Sequence, residues 1–308
     1  MLNLVTGGAG FLGSHICNYL IKNDENVICL DDLSSGKMSN LKNIINNKKF
    51  SFIKNSVLND FELEVDNIWH FACSASPSEY VKNPVKTNKL AFIGTSKMLE
   101  LAKKNNAKFL LASSSEIYGN PRTLPQKENI IGDINHLDTR ACYAEAKKLS
   151  ETLTYDYRRM FNLDVKIARI FNTYGSNMSI NDGRVMATLI MQGLKNEEMT
   201  INGDGKQTRS FCFVDDLVEG LMRFMKSDLT GPYNFGGTEQ ISILDLAKII
   251  SKKLDRELKV KYCQSIKDEP KLRCPCIKKV SKALNWEPKV DLDSGLSKTI
   301  KSLKTLIK

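Results

Sequence analysis

The stretch Thr6-Gly7-Gly8-Ala9-Gly10-Phe11-Leu12-Gly13 limits what this chain can fold into more than any other. It lies between an apolar run at residues 2–5, patterned as a strand, and an apolar-periodic segment at 11–21, patterned as a helix. Gly8, Gly10 and Gly13 fit a dinucleotide loop, and Gly7, Gly10 and Gly13 fit its wider-spaced form. Glycines here permit a tight turn, close approach of backbone to a pyrophosphate, and close helix–strand packing, while the helix N-terminus turns its positive end toward the phosphates. A second apolar run, 27–30, ends in Asp31-Asp32, and Asp31 follows Gly13 by 18 residues, where an acid binds ribose hydroxyls. A carboxylate there repels a 2′-phosphate, so the expected cofactor is NAD rather than NADP. The expected cofactor-binding set is Gly7, Gly10, Phe11, Leu12, Gly13, Asp31, Asp32, Ser34, Ser35 and Gly36, joined by Ala72, Tyr143 and Lys147.

A second pair of stretches carries chemistry: Ser113-Ser114-Ser115-Glu116 and Tyr143-Ala144-Glu145-Ala146-Lys147. Tyrosine and lysine four apart on a helix share a face. An ammonium beside a phenol favours the phenolate, so Lys147 is expected to lower the Tyr143 pKa. A Ser114 hydroxyl at a strand end would hold a sugar oxygen against that phenol, giving a base that takes a proton from an alcohol as hydride leaves the same carbon. The Tyr-x-x-x-Lys spacing alone is common; it gains weight from the nucleotide loop in the same chain.

The 308 residues suffice for one large domain or two lobes. No run approaches the roughly 18 apolar residues of a membrane span, and the N-terminus enters the first strand at once, so the expectation is a cytoplasmic protein without membrane partner. The eight cysteines, Cys17, Cys29, Cys73, Cys142, Cys212, Cys263, Cys274 and Cys276, include no Cys-x-x-Cys pair, so neither a metal site nor disulfides are expected. The net charge of +10, from 45 basic and 35 acidic side chains, comes from scattered lysines, many beside asparagine. That is a solvated surface that would attract an anionic ligand, and no nucleic-acid partner is expected.

Apolar runs at 2–5, 27–30, 50–53, 68–71, 109–112 and 165–170 alternate with helical patterns, including 84–104 and 141–162. The expectation is an α/β fold, a Rossmann-like doubly wound parallel sheet with a smaller mixed C-terminal substrate lobe. The NAD-binding domain is expected at 1–175, with 208–228 returning to it, and the substrate lobe in 176–308. Gly7, Asp31, Ala72, Ser114 and Phe171 all fall just past expected strand ends, so five stretches converge on one rim of the sheet.

With these residues in view, the chain resembles the extended short-chain dehydrogenase/reductases and, within them, the UDP-glucuronate decarboxylases. The resemblance spans nearly the whole chain. It rests on Thr6 to His15, His70-Phe71-Ala72-Cys73-Ser74-Ala75-Ser76-Pro77, Ser113 to Gly119, Cys142 to Lys147 and Ala168-Arg169-Ile170-Phe171-Asn172-Thr173-Tyr174-Gly175. It continues through Asp182-Gly183-Arg184-Val185, Gly203 to Phe211 and Trp286-Glu287-Pro288-Lys289-Val290. It implies NAD-dependent decarboxylation of UDP-glucuronate to UDP-xylose through a 4-keto intermediate, in a homodimer formed through the helices at 84–104 and 141–162. It implies catalytic roles for Ser114, Ser115, Glu116, Tyr143, Lys147 and Arg273, the last meeting the substrate carboxylate. Tyr80, Asn172, Arg184, Gln207 and Arg209 are implied at the nucleotide sugar, Tyr80 alternatively as a packing residue. The chain differs from the family's usual residues at Ser74, Ala91, Ala144 and Thr188 and after Arg273, where Cys274-Pro275-Cys276 stands. The alternatives are a 4,6-dehydratase or 4-epimerase acting on another nucleotide sugar, and a non-catalytic NAD-binding scaffold.

Overall fold

Leu4 and Val5, both fully buried, are neighbours on one strand yet pack into different apolar clusters, because successive side chains of a strand point to opposite faces. The same alternation places Phe109 and Leu111 in one cluster and Leu110 and Ala112 in the other. A sheet that is apolar on both faces must be covered on both, which is the parallel doubly wound arrangement. The computed structural model describes residues 1–180, 183–264 and 272–307. Asp182, one of the residues carrying the resemblance, lies outside the described residues.

In chain order the first part comprises β1 (Leu2–Thr6), α1 (Phe11–Lys22), β2 (Asn26–Asp31), β3 (Phe50–Lys54), β4 (Asn67–His70), α2 (Pro77–Lys82), α3 (Pro84–Asn105), β5 (Lys108–Ser114), α4 (Ala141–Phe161) and β6 (Val165–Ile170). Then follow β7 (Thr173–Tyr174), α5 (Val185–Leu194), β8 (Met199–Asn202), β9 (Thr208–Ser210), β10 (Cys212–Phe213), α6 (Val214–Lys226) and β11 (Tyr233–Phe235). The chain closes with β12 (Gln240–Ser242), α7 (Ile243–Lys253), β13 (Val260–Cys263), β14 (Leu272–Arg273), α8 (Lys278–Leu284) and α9 (Leu292–Lys304).

Seven strands form one parallel sheet in the order β11-β6-β5-β4-β1-β2-β3. The chain winds outward from β1 to β3, then restarts on the other side at β4, so the order reverses between β1 and β4. Ligands of such sheets bind outside the carboxyl ends of the strands at that reversal. The expected doubly wound sheet is therefore present, and its last strand, β11, comes from the second half of the chain, pairing Tyr233 with Ala168 and Phe235 with Ile170.

The remaining strands are short: β12-β9-β14 form one small sheet, β13 pairs with β8, and β10 with β7. The C-terminal segment is anchored by buried Trp286, whose Nε1 donates to the Asp216 carbonyl of α6 at 2.9 Å. The Asp216 carboxylate in turn accepts from the backbone of Lys289 and Val290. Gly220 leaves room for the indole, since a Cβ there would stand 2.7 Å from Trp286 Cε2. β14, which carries Arg273, is placed by its own pairing with β9.

Candidate active site

The carboxyl ends of the strands open into a cavity of about 860 Å³ whose walls include Gly7, Asp31, Ala72, Ser114 and Phe171, all five of the residues expected at the rim. At one end lies the glycine loop. Gly7 adopts φ 68°, a conformation glycine takes without strain. A Cβ on Gly13 would lie 2.2 Å from the Gly7 carbonyl oxygen, so only glycine lets α1 begin this close to β1. Gly10, Phe11, Leu12, Gly13, Asp32, Ser34 and Ser35 also line the cavity.

The Asp31 carboxylate accepts from the backbone N–H of Ala9 at 3.0 Å and of Leu33 at 2.8 Å, tying β2 to the glycine loop. Burial nevertheless pushes its pKa above the usual carboxylate range. Gly36 stands beside Asp31 and does not reach the cavity wall; a Cβ there would lie 2.9 Å from both carboxylate oxygens. Burial would raise Asp32 as well, but Ser34 and Lys86 outweigh it and its pKa is lowered. Asn40 was not anticipated: its amide donates to the Ala9 carbonyl at 2.9 Å, closing the loop after β2 over the glycines.

At the centre, Ser114 ends β5, its Oγ accepting from Glu116 N at 3.2 Å on the side of Tyr143. Tyr143 projects from the first turn of α4 and is 4 % exposed. The expected lowering of its pKa is not found in the protein itself. Burial pushes the phenol well above the usual tyrosine range, and the nearby Ser114 hydroxyl only partly opposes this. The Lys147 ammonium lies on the same face, 5.8 Å from the Tyr143 ring centroid, but donates to the Ala112 carbonyl at 2.8 Å; burial lowers its own pKa. Tyr80 is behind the wall rather than in it. Its ring stacks on that of Tyr143, centroids 5.0 Å apart and planes 3° from parallel, and its buried hydroxyl has no hydrogen-bond partner. His70 is held neutral, burial taking its pKa to about 3, and its ring bonds Thr6 and Thr95.

Ser115 and Glu116 follow in a short 3-10 turn, and both line the cavity. Glu116 accepts from Arg273 Nη1 at 2.5 Å and from Arg140 Nη2 at 3.2 Å to each carboxylate oxygen. Burial would raise the Glu116 pKa, but the two guanidiniums overcome it and bring it to about 2. Arg140 was not anticipated from the sequence. Arg273 is 5 % exposed, and its Nε and Nη2 are buried without a partner.

At the far end, Asn172, Arg184 and Arg209 line the cavity. Arg184 sits over the Phe11 ring, 5.5 Å from its centroid, and Arg209 Nη1 donates to the Thr208 carbonyl. Gln207 does not reach this wall; its amide donates to the Asn202 carbonyl at 2.7 Å, bracing a turn whose Asn202 does line the cavity. Among the described residues no cluster of His, Cys, Asp and Glu is arranged to hold a metal, and no helix is long and apolar enough to cross a membrane. The eight cysteines are all free.

Residues 4–299 match the family model described as GDP-mannose 4,6 dehydratase. The chain is 47 % identical over 301 residues to UDP-glucuronic acid decarboxylase 4 of Arabidopsis thaliana, covering 98 % of this chain and 68 % of that protein. It is 42 % identical to UDP-glucuronic acid decarboxylase 1 of Danio rerio over 297 residues, 96 % of this chain and 71 % of the relative. Among solved structures, UDP-glucuronic acid 4-epimerase of Bacillus cereus, in complex with UDP-glucuronic acid and NAD, superposes with a TM-score of 0.90 at 29 % identity, covering 99 % of this chain and 100 % of that one. UDP-glucose 4-epimerase of Thermotoga maritima, with UDP-glucose, gives 0.91 at 28 % identity over the full length of both. A sheet with its glycine loop at the order reversal, a Ser–Tyr–Lys group at the neighbouring strand end and these likenesses agree: the chain belongs to the extended short-chain dehydrogenase/reductases of the GDP-mannose 4,6 dehydratase family and is, within them, a relative of the UDP-glucuronic acid decarboxylases.

Proposed function

We propose that the protein is an NAD-dependent UDP-glucuronate decarboxylase, which forms UDP-xylose and CO2 through a 4-keto intermediate. The observation that carries this reading is Arg273, a buried guanidinium with an unpartnered edge in the same cavity as Tyr143, Ser114 and Lys147. A buried cation with free donors suits a substrate carboxylate, to which a guanidinium bonds in two places.

The residues present fit NAD. Gly13 admits the close loop that a pyrophosphate needs, Gly7 and Gly10 line the cavity beside the α1 N-terminus, and Asp31 offers a carboxylate for ribose hydroxyls. When bound, NAD supplies the hydride acceptor for C4 and returns the hydride at the end of the cycle. Ser114 orients the C4 hydroxyl and Tyr143 accepts its proton, Lys147 supplying the positive charge that favours the phenolate. The 4-keto sugar is a β-keto acid at C6, and loss of CO2 sends the bonding electrons toward the ketone oxygen. Protonated Tyr143 and the Ser114 hydroxyl donate to that oxyanion. Glu116, held ionised between two arginines, acts as an acceptor that fixes Arg273 and a water, and the proton for C5 comes from water or Tyr143. Asn172, Arg184 and Arg209 hold the nucleotide diphosphate, while Gln207 supports them through Asn202 and Tyr80 supports Tyr143 by stacking.

Two lobes, an NAD-binding part in residues 1–175 joined by the α6 region and a substrate part in the remainder, close around the site. Exposed apolar side chains on α3 and α4 support a homodimer through those helices, and the eight free thiols suit the reducing cytoplasm. A 4-epimerase acting on UDP-glucuronate is the second reading, favoured by the close superposition on the Bacillus cereus enzyme. Incubation with UDP-glucuronate and NAD, following CO2 and sugar products by NMR, separates the two. CO2 with UDP-xylose supports the decarboxylase; an epimeric uronate without CO2 supports the epimerase.

A further inference from the structure

The cavity holds one carboxylate between two guanidiniums. Glu116 and Arg140 side chains are each 18 % exposed and Arg273 is 7 % exposed, so all three are largely removed from water. Ionised groups in such surroundings are tolerated when their charges balance. Glu116 with Arg273 alone would sum to zero. Arg140, entering from the residue before α4, bonds both Glu116 oxygens, so this carboxylate is shared between two guanidiniums.

Arg273 is only partly engaged by Glu116. Arg273 spends Nη1 on Glu116, while Nε and Nη2 are buried without partners. Those two donors form one edge of the guanidinium, the geometry that takes a carboxylate bidentately. The buried, unpartnered Tyr80 hydroxyl feels the same three charges. A substrate carboxylate on that edge would place two anions on one arginine. Without Arg140, the second anion would meet a pair already neutral, beside a like charge.

Resting on the reading of the substrate as a nucleotide sugar acid, we infer that Arg140 is a specificity-determining residue: by neutralising Glu116 it leaves the charge of Arg273 to the carboxylate of the sugar. Arg140 needs no contact with the substrate to do this; it acts through Glu116 and is a positioning residue. Its contribution is confined to ligands that carry the acid.

UDP-glucuronate and UDP-xylose differ by that carboxylate, so calorimetric titration of both into NAD-loaded protein isolates the effect, in a Tyr143→Phe background that blocks turnover. Arg140→Gln is expected to weaken UDP-glucuronate by about tenfold or more while UDP-xylose changes less than about twofold. Arg140→Lys, which keeps the charge, should recover most of the loss. The groups facing Glu116 are Arg140, Arg273, Tyr80 and Tyr143. With one guanidinium gone Glu116 takes up a proton more readily, so UDP-glucuronate affinity of Arg140→Gln should partly return as the pH is lowered from neutral toward the ordinary carboxylate range, and more than in the protein with Arg140. The double variant Glu116→Gln, Arg140→Gln leaves no unbalanced anion and should bind UDP-glucuronate better than Arg140→Gln alone; it also serves if the single variant does not fold. Equal losses for both ligands, or no loss in either, would overturn the inference. If the protein with Arg140 intact binds UDP-glucuronate no more tightly than UDP-xylose, the sugar-acid reading itself falls and takes this inference with it.

Discussion

As the candidate base, Tyr143 stands in surroundings that favour its neutral form: burial raises the phenol, and Lys147 directs one N–H to the Ala112 carbonyl. On the reading of Tyr143 as the base, Lys147 on the same helical face supplies the positive charge that offsets burial. Tyr143→Phe keeps the ring stacked on Tyr80 and removes only the hydroxyl. It is expected to lower CO2 release by about 10²- to 10⁴-fold, the usual contribution of a positioned proton acceptor, with NAD affinity within about twofold as read by fluorescence quenching. Residual turnover near the wild-type rate would assign the base elsewhere. At this scale the sequence disclosed residue types better than their partners. The four-residue spacing put Tyr143 and Lys147 on one face, since helical geometry is local. Arg140 escaped notice because its tie to Glu116 bridges 24 residues and exists only once β5 and α4 are packed. Gln207 stands in a polar stretch suited to a ligand, but its amide turns to Asn202, a choice made by the fold of the following turn.

Between elements, the catalytic geometry depends on how α4 is registered against β5. Two bonds fix it, one helical turn apart. Lys147 Nζ donates to the Ala112 carbonyl at 2.8 Å, and Ser113 Oγ donates to Glu151 Oε1 at 2.5 Å. Glu151 is itself held by Arg169 of β6 through Nε and Nη2, and Arg169 also donates to the Tyr118 hydroxyl and the Glu128 carbonyl. Because Ala112, Ser113 and Ser114 are consecutive, a slip of α4 would move Tyr143 away from Ser114. Ser113→Ala deletes one of the two ties without removing a charge. It is expected to cost about 1.5–3 kcal/mol, the worth of a buried hydrogen bond to an ionised group, measured as a shift in the urea midpoint, with kcat reduced more than KM is raised. An unchanged midpoint would show that Lys147 suffices. Long elements such as these were readable, α3 and α4 falling within one residue of the expected 84–104 and 141–162, because their apolar period repeats over several turns. The strands after residue 172 run two to four residues, too short for an alternation to show, and pair through partners far away in the chain. β11 joins the main sheet with three residues, which no local pattern announces.

For the molecule as a whole, the packed pair α3 and α4 carries seven exposed large apolar side chains. Val85 is 67 % exposed and Met160 74 %, with Phe92, Ile93, Leu149, Tyr155 and Phe161 also exposed on the same two helices. Exposed apolar side chains on two neighbouring helices suit an association surface. A twofold pairing would put two helices from each protomer together, with each residue of the patch meeting the same patch on its partner. The positive charge of +10 per chain opposes association at long range, so apolar burial must supply the gain, and added salt should strengthen the pair rather than weaken it. The same helix α4 carries Tyr143 and Lys147 on its buried face, so pairing would stiffen the element that sets the catalytic register. Phe92→Asp combined with Leu149→Asp places four new carboxylates in one twofold contact. Sedimentation is then expected to fall from twice the 34.7 kDa chain to the single chain, with turnover per site lowered about three- to tenfold through a looser α4, equivalent to roughly 1 kcal/mol in the barrier. A wild-type protein that sediments as the single chain would remove the pairing, and a double variant that stays paired would move the interface to another face.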